Sequence, residues 1–226
     1  MWRSKFMAIS RLDAFEQYKK GVLYDFGGRP EYTEQLFVNQ LLKLDPPSAK
    51  MMGGIAVHEL VEKMGFQCLE QPFLYKDWLI LPPEQDLTIE MPQARELKTV
   101  LTIDNISIYG RVDAIDCNAI HDLKTTSKID AERYFNSWQW RAYLLAENKH
   151  KFIYDILTVK ICDELQQPEV RILDYTKLEM NSYNAMYEDV RNILHEYWDC
   201  LESLKELIKE TAIKNNILIK GLTDGK

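Results

Sequence analysis

Gly110-Arg111-Val112-Asp113-Ala114-Ile115-Asp116-Cys117-Asn118-Ala119-Ile120-His121-Asp122-Leu123-Lys124-Thr125 is the stretch on which the reading of this chain turns. Ile106–Ile115 and Ala119–Thr125 are β-type runs separated by Cys117-Asn118, and Leu97–Ile103 precedes them across Asp104-Asn105. Two-residue polar separators between such runs predict an antiparallel meander. Side chains alternate along a strand, so Asp122 and Lys124 share a face while Leu123 points into the core, and Asp113 across the turn is expected on the face of Asp122. Two carboxylates and a lysine would then converge on one point. Hard oxygen ligands of this kind suit Mg²⁺ or Mn²⁺, with the Leu123 carbonyl as an additional ligand. A lysine beside them can orient or deprotonate an attacking water, or stabilise charge in a phosphorane-like transition state. An isolated D-x-K occurs everywhere by chance, and alone it is better explained as a solvated hairpin or a surface ion pair.

Outward from this stretch the hydrophobic period changes. Upstream, Leu12, Phe15 and Tyr18 recur at helical spacing over residues 10–20, with Ser10 as a candidate N-cap. Gly27-Gly28-Arg29-Pro30 reads as a turn. Pro30 opens a second helix with an apolar stripe of Leu36, Phe37, Leu41 and Leu44, stopped by Asp45-Pro46-Pro47. Residues 51–65 read as a third helix with Gly53-Gly54 in its first turn, where small side chains permit close backbone approach. Phe73, Tyr75, Trp78, Ile80 and Leu81 form a β-type run between Pro72 and Pro82. Downstream, residues 130–147 read as helix, Phe152–Cys162 and Val170–Tyr175 as strands around Gln166-Gln167-Pro168, and 176–214 as a long helical tract. The order predicts an α/β (α+β) fold with a central mixed β-sheet flanked by helices. One domain is expected over residues 1–226, with N-terminal helices at 10–45, a core at about 50–175 and the helical tract at 176–214.

Composition narrows the class. The chain has 226 residues, 46% hydrophobic and 28% charged, with a net charge of −7. That excludes a disordered chain and disfavours a generic nucleic-acid coat, whose footprint is basic. No apolar run approaches the ~20 residues of a membrane span, and the short apolar stretch near Met1 is too brief for a signal peptide. A cytoplasmic protein with no membrane partner is expected. Cys68, Cys117, Cys162 and Cys200 lie 49, 45 and 38 residues apart. This is no metal-ligand spacing, so reduced, mostly buried thiols are expected, with neither an Fe–S cluster nor a structural zinc.

Two further groups flank the hairpin. His58 and Glu62 stand at i and i+4 on the third predicted helix, and Gln139 and Tyr143 do so on the helix that follows Lys124. His58-Glu59-Leu60-Val61-Glu62 grazes the H-E-x-x-H zinc-protease motif, but Glu62 replaces its second histidine. Glu62 and Asp116 are each as well explained by a supporting ligand as by a solvated helix face or strand end. His121, His150 and His195 have no partner pattern and read as structural or surface groups. Residues 122–151 carry six basic residues (Lys124, Lys128, Arg133, Arg141, Lys149, Lys151) against four acids. Tyr134, Phe135, Trp138, Trp140 and Tyr143 interleave with them, a composition that can hold phosphates and stack on bases. About two-thirds of those rings are expected inside, as aromatic helix stripes usually are. The 176–214 tract, with eight acids against five bases, reads as a packed helix with a solvated face.

In order along the chain, Gly54/His58/Glu59, Gly110/Asp113, Asp122/Lys124 and Gln139/Tyr143 resemble the motif series of the PD-(D/E)XK nuclease superfamily, within it the RecB-like branch that includes phage-type exonucleases. The resemblance covers about residues 10–160. It implies a restriction-endonuclease-like core and a metal-dependent deoxyribonuclease. His58, Asp113, Asp122 and the Leu123 carbonyl would be ligands to one or two Mg²⁺ or Mn²⁺ ions. Lys124, Asp113 and Asp122 would be catalytic, and Gln139, Tyr143, Glu59 and Glu62 supporting or DNA-contacting. Asp122 stands where Glu is commoner, shortening the reach by one methylene. The four-cysteine Fe–S staple of some relatives is missing, and no Walker loop is present. The resemblance further implies an exonuclease working on DNA ends in recombination or repair, of phage or prophage type. Its partners would be DNA, a recombinase or annealing protein, and further copies of itself. A restriction-type endonuclease and a catalytically silent DNA-binding or scaffold domain are the alternatives.

Overall fold

The structure, a computed structural model, describes residues 5–21, 33–85, 87, 92 and 95–217. In chain order the elements are β1 (Lys5–Ala8), α1 (Ser10–Lys19), α2 (Glu34–Leu42), α3 (Ala49–Met64), a 3-10 turn (Phe66–Leu69), β2 (Phe73–Tyr75), β3 (Trp78–Leu81), β4 (Arg95–Ile103), β5 (Ile106–Ile115), β6 (Ala119–Thr126), α4 (Ala131–Asn136), α5 (Trp138–Glu147), β7 (Lys151–Cys162), β8 (Glu169–Asn181), α6 (Met186–Ser203) and α7 (Lys205–Lys214). The strands form one mixed sheet in the order β1-β5-β6-β7-β8-β3-β2, with β4 on the other side of β5. The β4–β5 and β7–β8 pairs are antiparallel, whereas β6–β7, β3–β8 and β1–β5 are parallel. The expected α/β fold, a mixed sheet flanked by helices, is what the chain forms.

Alternation along the strands builds two cores. Ile120, Phe152, Tyr154 and Ile156 pack with α1, α2, α5, α6 and α7 on one face. Leu123, Leu157, Val159, Val170 and Ile172 pack with Ala56, Val57, Leu60 and Val61 of α3 on the other. Each fully buried aliphatic side chain contributes about 1.5–3 kcal/mol, so α3 is held chiefly by that face. Its ends are set locally: Ser48 Oγ accepts from Met51 N at 3.2 Å, and Gly65 stops it at φ 83°. Close approach explains Gly54, where a Cβ would lie 2.7 Å from Thr125 Oγ1 of β6.

Several expectations change. The helical tract begins at Met186 rather than Thr176, because β8 continues to Asn181 in register with β7. Leu178 belongs to that strand's alternation and not to a helical stripe, and a second break at Leu204 separates α6 from α7. A strand too short to show alternation, β1, precedes α1. Ser10 is already inside α1, whose start has no side-chain cap. The Phe73–Leu81 run is a hairpin, turning at Lys76 and Asp77 with φ 46° and 65°. The 130–147 helix divides at Ser137, whose ψ of 139° breaks the first segment while its hydroxyl caps the second. The expected turn at Gly27–Pro30 and the helix start at Pro30 lie outside the described residues, and α2 begins after Thr33, which caps it. Only Cys68 of the four cysteines is fully buried, and Cys117 is exposed. Among the described residues no helix is long and apolar enough to cross a membrane.

The meander contains a fork. β5 is paired along one edge with β1 up to Tyr109 and with β6 only at Ala114↔His121 and Ile115↔Ile120. Between those two neighbours the backbone of β5 is bridged by a side chain from α5. The Tyr143 hydroxyl donates to Arg111 O at 2.9 Å and accepts from Arg111 N at 3.2 Å, doing there what a strand would do. Gly110 is the residue that lets the ring in: a Cβ would lie 2.5 Å from Tyr143 Cε1. Gly110→Ala should therefore cost about 1–3 kcal/mol of stability by overpacking a ring that cannot retreat. Chemical denaturation measures this, and a loss below about 0.5 kcal/mol would mean that α5 shifts freely.

Candidate metal and catalytic site

Where β5 and β6 part, the Asp113 carboxylate takes over the ladder. Its Oδ2 accepts from Leu123 N at 2.8 Å, so one side chain joins the strands and fixes its own position. The same oxygen lies 3.2 Å from His58 Nε2 of α3, and His58 Nδ1 lies 2.9 Å from Glu62 Oε1 one turn on. His58, Glu62 and Asp113 each offer a donor atom, all within 4.8 Å of one another. The helical i, i+4 spacing brings His58 and Glu62 together, and the close packing of α3 on β6 at Gly54 carries that pair to the fork.

Asp122 and Lys124 leave β6 beside this group. Lys124 Nζ lies 2.6 Å from Asp122 Oδ2, and Gln139 Nε2 of α5 donates to Asp122 Oδ1 at 3.4 Å. Asp122 is 2% exposed. Burial, reinforced by the charge of Asp113 and opposed by Lys124, pushes its carboxyl up to about 6. Burial would also raise Asp113, but the hydrogen bond and charge of His58, the charge of Lys124 and the Leu123 N–H together hold it below the usual carboxylate range. Burial would lower His58, yet Asp113 and Glu62 outweigh it and raise the imidazole. Lys124 is likewise raised despite burial, by Asp122 first and Asp113 after it. Both acids favour its ammonium form, which suits it to presenting a fixed positive charge.

The helix that supplies Gln139 is anchored from α1. Asp13 accepts the Ser137 hydroxyl at 2.7 Å and the Trp138 backbone N–H, meeting the first turn of α5. Burial raises the Asp13 carboxyl. Between α1, α4 and β6 lies a cleft of about 350 Å³, lined by Lys20, Lys124, Arg133, Tyr134 and Gln139 among others.

The compact donor group differs from the expected one. It contains Glu62, which sequence left open, and not Asp122, which is held by Lys124 and Gln139. Leu123 enters through its N–H, and its side chain lies in the core under α3. Glu59 is turned to the β2–β3 hairpin, where Lys76 lies 2.5 Å away and the Tyr75 hydroxyl donates at 3.1 Å. Tyr143, 4% exposed, supports β5 and offers no surface for DNA. Asp116 closes the β5–β6 turn by accepting from Asn118 N and Ala119 N, both at 2.7 Å. Of the basic run, Arg141 is buried over Trp140, Lys149 donates to Cys117 O and Lys151 pairs with Glu179. Trp140 is buried with Tyr143, and Phe135 is exposed. His150 and His195 contact Ser182 and Asp104 at the surface. His121 is a buried partner of Asp155 at 2.8 Å, with the Tyr175 hydroxyl donating to the other Asp155 oxygen. The only signal for that network was the pair of polar residues on otherwise apolar strands.

The donor set fits a divalent cation. The His58 imidazole lies between two carboxylates, Nδ1 at Glu62 and Nε2 at Asp113, and each of the three residues offers a donor atom within 4.8 Å of the others. Hard oxygens with one imidazole suit Mg²⁺ and Mn²⁺.

No protein-family model matches the chain, and no curated protein matches it. Among solved structures it is similar to that of SSO0001, with 14% identity over 87% of this chain and 76% of that one, at a TM-score of 0.42. It is also similar to the alkaline exonuclease LHK-Exo from Laribacter hongkongensis, with 11% identity over 92% and 93% of the two chains and a TM-score of 0.41. For LHK-Exo in complex with dAMP the values are 12%, 93%, 94% and 0.42. Likeness at that level assigns no residue a role.

Two measurements check the site. Asp122 holds its proton more tightly folded than unfolded, so its contribution to stability is whole below its ordinary 3.8 and is lost as pH rises through about 6. In metal-free buffer the melting temperature of the wild type relative to Asp122→Asn should fall by roughly 5 °C between about pH 4 and about pH 7. A flat difference would remove Asp122 as a buried titrating group. In Mn²⁺ titration calorimetry, Glu62→Gln should weaken binding about tenfold or more and Asp116→Asn less than about twofold. The reverse order would dismiss the His58–Glu62–Asp113 group.

Proposed function

We propose that this chain is a divalent-metal-dependent deoxyribonuclease that hydrolyses phosphodiester bonds, working from DNA ends. The observation that carries the reading is the His58–Glu62–Asp113 donor group beside the Asp122–Lys124 ion pair, at the fork between β5 and β6.

In this reading His58, Glu62 and Asp113 hold the ion, with Asp122 facing it from β6. When bound, Mg²⁺ or Mn²⁺ supplies Lewis-acid charge at the scissile phosphate and lowers the pKa of water. Lys124 remains an ammonium and presents positive charge to the phosphate oxygens, where negative charge grows in the transition state. Asp122 orients Lys124, and Gln139 orients Asp122. Asp113 accepts the Leu123 N–H, which keeps its carboxylate from turning away. Loading requires His58 to give up its proton, so activity should rise with pH through the range in which His58 and Asp122 lose theirs.

The cleft beside Lys124 supports the end-directed reading. Its volume of about 350 Å³ suits a ligand-sized group, and its walls combine Lys20 and Arg133 with Tyr134. Recombination or repair is the setting that end processing suits.

The test compares wild type with Lys124→Ala on 5′-labelled linear and closed circular DNA, with Mg²⁺, Mn²⁺ or EDTA. Loss of linear DNA alone, dependent on metal and reduced about a hundredfold or more by Lys124→Ala, is the expected result. Cleavage of the circle would make this a restriction-type endonuclease. No cleavage of either substrate, with binding retained, would make it a silent DNA-binding member of the same fold.

A further inference from the structure

β5 carries a second set of groups on the face that bears Asp113. Its register with β4 is unbroken from Leu97↔Val112 to Ile103↔Ile106, so its side chains alternate over Ile106–Val112. Ile108 and Val112 are buried in the helix-side core, and Gly110 faces Tyr143 of α5. Tyr109 and Arg111 therefore share the opposite face, the side on which Asp113 meets His58 of α3. At the Asp113 end His58 of α3 meets that face; at the Tyr109 end no described element covers it.

What lies bare there is aromatic. Tyr109 is 42% exposed, Phe6 of β1 is 55% exposed, and Val100, the β4 neighbour of Tyr109, is 56% exposed. The Phe6 and Tyr109 rings stack with centroids 4.7 Å apart and planes 19° from parallel. Large exposed rings held together on a sheet mark an interaction surface. Lys98 and Arg111 are register partners, both exposed, and they stand on β4 and β5 between the rings and Asp113. Two cations beside a ring pair, in a chain of net charge −7, select an anionic partner with flat apolar groups. Single-stranded nucleic acid has that chemistry: bases stack on aromatic rings while phosphates track cations. A second copy of this acidic chain has it less well.

Spacing ties the platform to the site. Tyr109 and Asp113 are four residues apart on one strand, about 14 Å at ~3.4 Å per residue. That is about four nucleotides at the ~3.4 Å spacing of a stacked strand, and fewer if the strand is extended.

We propose that Phe6 and Tyr109 form a stacking platform for a single-stranded DNA segment whose phosphates pass Arg111 and Lys98 on the way to Asp113. The direction of travel rests on the nuclease reading of the His58–Asp113 site, whereas the binding does not. Because the rings are exposed, removing them leaves both cores intact.

The experiment measures anisotropy of fluorescein-labelled dT12 with the full chain in EDTA, beside metal-dependent cleavage by the same preparations. Phe6→Ala/Tyr109→Ala should weaken dT12 binding about tenfold, and Tyr109→Phe should restore most of it beside an intact Phe6. Lys98→Glu, at an exposed position, should weaken binding several-fold and flatten its salt dependence, which keeps the test open if the double variant melts early. Wild-type affinity should rise with oligonucleotide length up to about five residues, and the double variant should lose that rise. Ring-dependent dT12 binding without cleavage by the wild type would sink the nuclease reading and leave the platform standing. Metal-dependent cleavage with dT12 binding unchanged in the double variant would overturn the platform alone. So would loss of self-association in that variant, seen by sedimentation, with dT12 binding unchanged; the face would then belong to a second copy.

Discussion

Everything chemical in this molecule depends on β5 and β6 being unable to stay paired. They share two residue pairs and then part, and the opening must be satisfied because buried backbone groups without partners are costly. Two side chains do this. Asp113 accepts the Leu123 N–H on the β6 side, and the Tyr143 hydroxyl serves both backbone groups of Arg111 on the β1 side. Each is a structural bond, and each also sets the position of a polar group at the fork. A fully zipped hairpin would leave Asp113 free to rotate and would close the gap that α5 enters.

The fork concentrates charge that would be dispersed elsewhere. Asp13, Asp113 and Asp122 all lose water, and their environments drive them apart: Asp13 and Asp122 upward, Asp113 downward. The acids around them raise both His58 and Lys124, favouring the protonated form of each. A buried cluster of acids tied to two cations carries some cost in stability. The helix-side core bears that cost, through the aromatic packing of α5 and α6 on β7.

Much of this was legible in the residue order. The period-2 runs around Asp104-Asn105 and Cys117-Asn118 marked the strands, since two-residue turns leave few other options. The i, i+4 pair of His58 and Glu62 marked a helix face. The errors fell where local pattern is ambiguous. Leu178 fits a helical stripe or a strand face equally well, and only the β7 ladder decides. The i, i+4 spacing pairs Glu62 with His58, but only the packing of α3 turns that pair to the fork and Glu59 to the β2–β3 hairpin. Asp122 and Asp113 were expected to converge on one face, whereas His58 lies against Asp113, and Lys124 and Gln139 hold Asp122.

By itself, then, the sequence determined most of the element types and the order of the polar residues, because turn residues and apolar period are local properties. Tertiary structure decided which acids meet which cations. It turned Glu62 and not Glu59 to the fork, put Tyr143 in place of a missing strand and left Phe6 and Tyr109 bare on the outer face. Those outcomes depend on where α3 and α5 cross the sheet. The crossing is set by contacts between residues far apart in the chain, Gly54 with Thr125 and Gly110 with Tyr143, and no periodicity records it.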